Sequence, residues 1–136
     1  MDWIARQGAI EGLNLVDFNC PQHLKVYTTE KVKRALDLAS LRTGAVCTRF
    51  THEFENGAFT HPESSKRKAD IDLVLNAGEL ARAIDAKELV VWSAYDGYDY
   101  SFQADYHLMW KHCVAAFQFV CDTFTDLKIS LEPKPT

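Results

Sequence analysis

The chain has 136 residues, 47% of them hydrophobic and 25% charged, the make-up of an ordinary globular protein rather than a disordered or fibrous one. Its net charge of −4 argues against a nucleic-acid backbone as partner, because binding phosphates calls for a basic surface. No apolar run approaches the roughly 18 residues of a membrane span and Met1-Asp2-Trp3-Ile4-Ala5-Arg6 has no signal-peptide layout, so the expected compartment is the cytoplasm, with no membrane partner.

Residues 2–8 read as the tail of a helix and Ile10 to Gly12 as a turn. Leu13-Asn14-Leu15-Val16-Asp17-Phe18 alternates apolar and polar residues and predicts the first strand. Asn19 to His23 is then a loop, with Pro21 barring helix at Cys20. Thr28 is a good N-cap, and Val32, Ala35, Leu36 and Ala39 follow at helical spacing, so a helix is predicted to about Leu41 with Gly44 just past its end. Ala45 to Phe50 is the second strand. A polar loop with His52, Glu53, Gly57 and His61-Pro62 leads to a helix capped by Ser64 or Ser65. Its stripe is Leu73, Ala77, Leu80 and Ile84, widened by Ile71, Val74, Leu75 and Gly78, and Lys66, Arg67 and Lys68 form a solvated first turn.

Glu88 to Ser93 is the third strand, apolar enough to be buried on both faces. The loop Ala94-Tyr95-Asp96-Gly97-Tyr98-Asp99-Tyr100 is long and aromatic. The next helix carries Tyr106, Met109, Trp110, Cys113, Phe117, Val120, Cys121 and Phe124 as one expected core stripe. Leu127 to Glu132 is the fourth strand, stopped by Pro133 and Pro135, which cannot donate to a ladder. The four cysteines, Cys20, Cys47, Cys113 and Cys121, fit no zinc spacing and are expected to be buried free thiols.

Strict alternation of helix and strand predicts an α/β fold with a parallel sheet. No Gly-rich phosphate loop follows any strand, and polar residues gather after successive strands: Asn19 and His23, Arg49 and His52, Trp92 and Asp96, Glu132 and Lys134. The mouth of a (β/α)8 TIM barrel collects residues in this way, so residues 1–136 are expected to form a single incomplete barrel domain of four strands, about half the usual length.

Glu132 and Lys134 lie two apart on extended chain at a strand's carboxyl end, so both can face one site. A carboxylate there suits Mg²⁺ or Mn²⁺; a surface turn, or a pairing with Lys134, is the plainer reading. Trp92 ends a strand beside Tyr95, Asp96 and Tyr98. Indole faces suit the apolar faces of sugars, and the tyrosine hydroxyls and carboxylate suit sugar hydroxyls, although a lone Trp is more often core. His52 and His61 lie in a loop, where solvent contact is commoner than an acid/base role, and His23 can reach a mouth.

Ser130-Leu131-Glu132-Pro133-Lys134-Pro135 resembles the strand of xylose isomerases whose Glu ligates metal and whose Lys contacts the sugar. Trp92 followed by Asp96-Gly97 is similar to the segment whose Trp lines the sugar site in that family. Phe50-Thr51-His52 and Gly57-Ala58-Phe59-Thr60 are similar to the loop after its third strand. The chain thus resembles the xylose-isomerase-like TIM-barrel superfamily of sugar isomerases and epimerases, from about the second to the fifth strand. In xylose isomerases a substrate-binding His directly follows the Phe of the second strand. Here Phe18 is followed by Asn19, and the nearest histidine is His23, so the resemblance is to the divergent isomerase/epimerase branch rather than to enzymes of xylose itself.

The resemblance implies a segment of a metal-dependent enzyme acting on a ketose or aldose, with Mn, Mg or Co as the divalent ion in the complete protein. It implies Glu132 as metal ligand and catalytic residue together with Lys134, and Trp92, Asn19, His23, His52, Tyr95, Asp96 and Tyr98 as sugar contacts. An AP-endonuclease-like relative acting on DNA and a non-catalytic truncated protein are the alternatives. The chain alone is expected to be catalytically silent, and to self-associate through the edges of its outer strands and through Val and Leu side chains on its concave face.

Overall fold

The computed structural model describes residues 1–93, 100 and 102–133. Its elements in chain order are α1 (Asp2–Gly8), β1 (Leu15–Cys20), α2 (Thr29–Leu38), β2 (Arg42–Arg49), a 3-10 turn (His52–Phe54), α3 (Ser64–Ala83), β3 (Glu88–Ser93), α4 (Tyr106–Thr123) and β4 (Lys128–Pro133). The four strands are parallel and stand in the order β1-β2-β3-β4, as the alternation predicts.

β1 runs two residues further than its sequence pattern implies, because Asn19 and Cys20 stay in register with Cys47 and Thr48 before Pro21, with no N–H, ends the ladder. Thr28 caps α2, its side chain accepting from the Lys31 N–H at 3.4 Å. The helix stops at Leu38 rather than Leu41. Ser40 takes the left-handed conformation (φ 54), and the Leu41 N–H closes back on the Leu36 carbonyl. Gly44 therefore has a different job from the expected one: it lies inside β2, which starts at Arg42. Between Val16 and Phe18 the register slips, setting Gly44 and Ala45 against Asp17 alone. The Ala45 N–H donates to Asp17 Oδ1 at 2.7 Å, and a Cβ at Gly44 would sit 2.3 Å from that oxygen.

The loop after β2 is not simply polar. Ala58, Phe59 and Thr60 are buried, and the Phe59 ring meets Phe50 and Phe117 edge-on at 5.9 and 5.4 Å. Neither serine caps α3: its N-cap is Glu63, which makes no capping bond, and Ser64 is the first helical residue. Arg67 is not merely solvated, since Nη1 donates to the His61 and Pro62 carbonyls at 2.6 and 2.7 Å. In α3 the fully buried line is Asp70, Val74, Ala77, Gly78 and Ala81, with Leu73 and Leu80 on its flank. Gly78 lets the Phe124 ring approach, where a Cβ would meet it at 2.2 Å.

The expected stripe of α4 is rotated. Met109, Ala116, Val120 and the following Phe124 face inward, while Trp110 is 70% exposed and Tyr106 and Cys121 are also exposed. The expectation of four buried thiols likewise fails: Cys20 is buried, Cys47 and Cys113 are half-buried and Cys121 is exposed. β3 is covered on one face only. Leu89 and Val91 are buried against the helices with Val16, Phe18 and Val46, whereas Glu88, Val90 and Trp92 are half-exposed on the other side. That other, open face carries mostly polar side chains; of the Val and Leu residues of the strands, Leu15 and Val90 belong to it, while Val16, Val46, Leu89, Val91 and Leu131 belong to the opposite face. Among the described residues no helix is long and apolar enough to cross a membrane.

Candidate functional site

Side chains of alternate residues on a strand share a face, so the parallel register arranges the open face in rows. The lowest row runs Ala45, Glu88, Lys128, with Asp17 beside Ala45. The middle row runs Asn19, Cys47, Val90, Ser130, and the top row Arg49, Trp92, Glu132. The top row lies at the strands' carboxyl ends.

The lower charges are satisfied by one another. Glu88 accepts from Ser130 Oγ at 2.5 Å and pairs with Lys128 Nζ at 3.1 Å, and these contacts hold its carboxyl below the usual glutamate range. Among the described residues no ion pair holds Arg49 or Glu132 in the top row. The Glu132 carboxylate is exposed and takes part in no ion pair or hydrogen bond with the described residues. The Arg49 guanidinium lies 5.0 Å from the Trp92 ring centroid, a cation–π geometry. Asn19, Cys47, Thr48, Arg49, Trp92 and Glu132 line a recess of about 240 Å³. Clefts of about 420 and 580 Å³ also exist, but the first lies at the amino ends of β1 and β2 and the second between α1 and α2. In barrels of parallel strands the carboxyl end is where chemistry occurs, so position outweighs volume here.

Of the residues expected at a site, the structure brings Asn19, Trp92 and Glu132 together. Trp92 is thus no core residue. His23 and His52 do not line the recess: His23 Nδ1 accepts from the Asn19 N–H at 3.1 Å while its ring packs on Trp3, and His52 Nδ1 meets Glu55 at 2.9 Å in solvent. Lys134, Tyr95, Asp96 and Tyr98 lie outside the described residues. Three lining residues, Cys47, Thr48 and Arg49, escaped the list of expected contacts, and two of them, Cys47 and Arg49, belong to the open face. Cys47 read as a buried thiol and Arg49 as one polar residue among several; the signal available was their spacing, since residues 45, 47 and 49 must share a face once 45–50 is a strand. Burial, followed by the charges of Asp17, Glu132 and Glu88, pushes the Cys47 thiol up to about 11, so it is a neutral lining group and not a thiolate nucleophile.

Chemically, the recess offers an aromatic side chain, a planar cation, an amide that both donates and accepts, and a carboxylate with no ion pair among the described residues. That set can hold a small polyhydroxylated molecule. A divalent ion fits it only in part. Glu132 is a suitable hard ligand, but no group of three His, Cys, Asp or Glu among the described residues is placed to hold a metal.

No family model matches the chain. Solved structures do. A D-tagatose 3-epimerase-like protein superimposes with a TM-score of 0.73 at 16% identity, over 90% of this chain and 45% of that one. An IOLI protein with a binding zinc atom gives 0.71 at 12% identity, over 98% and 46%. An AP endonuclease, family 2, from Brucella melitensis gives 0.66 at 15% identity, over 96% and 47%. The chain therefore spans less than half the length of these neighbours. At such identities the likeness is one of fold: four parallel strands alternating with helices, as in part of a TIM barrel.

Proposed function

We propose, from the premise that this chain folds as part of a xylose-isomerase-like TIM barrel, that it is a single incomplete barrel domain and contributes the sugar-contacting part of an isomerase or epimerase site. The observation that carries this reading is the top row, where Trp92 and a Glu132 without an ion-pair partner among the described residues stand side by side at the strand ends above a self-satisfied lower row. Trp92 takes the apolar face of the sugar, Asn19 exchanges hydrogen bonds with its hydroxyls, and Glu132 accepts from a hydroxyl or moves a proton. His23 supports Asn19 through the backbone, and Lys134, Tyr95, Asp96 and Tyr98 join from the adjoining segments.

Glu132 also supplies one ligand to a divalent ion, which in such a site polarises a carbonyl and an adjacent hydroxyl. One carboxylate leaves most of the coordination sphere to other groups, so the chain by itself is catalytically silent. The likeness to an AP endonuclease keeps a DNA-acting reading as the second one, against which the net charge of −4 weighs.

Turnover of a ketose and aldose panel, with and without Mn²⁺, separates these readings when measured on the chain alone and on a longer protein in which the remaining barrel strands of a solved neighbour are joined to it. Metal-dependent isomerisation or epimerisation by the longer protein, reduced tenfold or more by Glu132→Gln, is expected. Unchanged turnover in that variant removes Glu132 from the site. The outer strands β1 and β4 present open edges, and the chain alone is expected to self-associate through them. A monodisperse monomer in light scattering would contradict that.

A further inference from the structure

Arg49 stands out among the side chains of the recess. It is exposed at the end of β2 and joined to no carboxylate among the described residues, although Glu132 lines the same recess. Lys128, Lys33 and Arg82 are spent on carboxylates, on Glu88, on Asp85, and on Glu79 and Asp126, while Arg42, which like Arg49 is in no ion pair among the described residues, lies at the amino end of β2, away from the recess. Arg49 is instead held over the Trp92 indole, 5.0 Å from its centroid, and its own backbone is tied down where the Gln22 side-chain amide donates to the Arg49 carbonyl at 3.3 Å. A cation–π contact restrains a guanidinium without using its N–H donors, and those donors match the two oxygens of a carboxylate or phosphate. A neutral sugar needs no such cation, since amide and hydroxyl groups serve its hydroxyls.

We propose that Arg49 is a specificity-determining residue and that the recess takes acidic sugars, those bearing a carboxylate or a phosphate, with the anion on the guanidinium edge and the sugar ring against Trp92. This rests on the sugar-site reading above and narrows its substrate class.

The test is ligand titration of the whole chain followed by ¹⁹F NMR of fluorotryptophan, with the Trp92 resonance identified from Trp92→Phe. The probes are fructose, fructose 6-phosphate, glucuronate, inorganic phosphate and a duplex oligonucleotide with an abasic site. Fructose 6-phosphate or glucuronate is expected to move the Trp92 signal at a concentration at least tenfold below fructose, and whichever does so identifies the anion. Arg49→Gln should erase that preference while leaving the weak response to fructose, and Arg49→Lys should recover only part of it, because a point charge lacks the fork and the stack. Arg49 is exposed and Trp92 half-exposed, and thermal melting of each variant reports that the fold is kept. Equal response to fructose and both acidic sugars, unchanged by Arg49→Gln, overturns the proposal and leaves the sugar reading standing. Inorganic phosphate matching the phosphosugar overturns it by making Arg49 a general anion site. Silence towards every sugar, or an Arg49-dependent response to the oligonucleotide alone, overturns the sugar reading and this proposal with it.

Discussion

The lower and top rows of the open face differ by only a few residues along each strand, yet their chemistry is opposite. In the lower row, Asp17 accepts from the Ala45 N–H, and Glu88 is held by Ser130 and Lys128. In the top row, Glu132 and Arg49 share a recess with Asn19 and Trp92 without being spent on each other. The lower groups are therefore part of the protein's stability, whereas among the described residues no ion pair takes up Arg49 or Glu132 of the top row. A charged residue on this sheet is informative about function only when its partners are known.

The sharpest way to break the contrast is to compare one deletion from each row. Asp17→Ala leaves the Ala45 N–H without its acceptor at the register slip, and should cost about 1–3 kcal/mol of stability. Glu132→Gln should stay within about 0.5 kcal/mol of the parent, as surface changes away from such features do. Urea unfolding of both variants checks this; equal costs would erase the distinction between the rows.

A smaller effect lies in the acid limb. Glu88 has its pKa lowered below the ordinary 4.5, first by the Ser130 hydroxyl and then by Lys128. A carboxyl depressed in the folded state stabilises it above the unfolded value, and that contribution is lost as pH falls through the lowered folded value. Stability should thus fall below about pH 4.5, and Glu88→Gln should make that part of the profile shallower without changing it near neutrality. A wild-type acid profile retained by the variant would show that Glu88 does not carry it.

The smallest effect tests the proximity of Glu132 to the middle row. Because Glu132 is one of the charges that raise the Cys47 thiol to about 11, Glu132→Gln should speed Cys47 alkylation at pH 9 by roughly twofold, the effect of one partly screened charge. Mass spectrometry of iodoacetamide labelling measures it, with the exposed Cys121 as internal reference. No change in the ratio would place Glu132 away from the recess.

Much of the architecture was legible because it depends on local periodicity. The Glu88–Ser93 strand coincides with the observed one, Thr28 caps α2 as its side chain allows, and the helix–strand alternation predicts the observed parallel sheet. The misreadings share a cause. Gly44 reads locally as a helix stop, but the helix is closed by Ser40, and glycine is needed at 44 because Asp17, 27 positions earlier, approaches it. In α4 two adjacent lines of residues are apolar, and periodicity cannot choose between them. The sheet and α3 choose Met109, Ala116 and Val120 and leave Trp110 outside.

The site divides in the same way. Asn19, Trp92 and Glu132 follow from strand-end position, which a sequence shows. That His23 turns back onto β1, that His52 pairs with Glu55, and that Arg49 settles on Trp92 follow from contacts between residues or strands whose relative placement no local pattern encodes. The sequence by itself determined the order of elements, the parallel sheet and, to within two residues, where its strands end, because hydrogen-bonding geometry and side-chain period act over a few residues. Only the tertiary structure decided which of those residues are neutralised by a neighbour and which stand open, because an ion pair or a stacked ring joins parts of the chain brought together by the packing of the whole sheet.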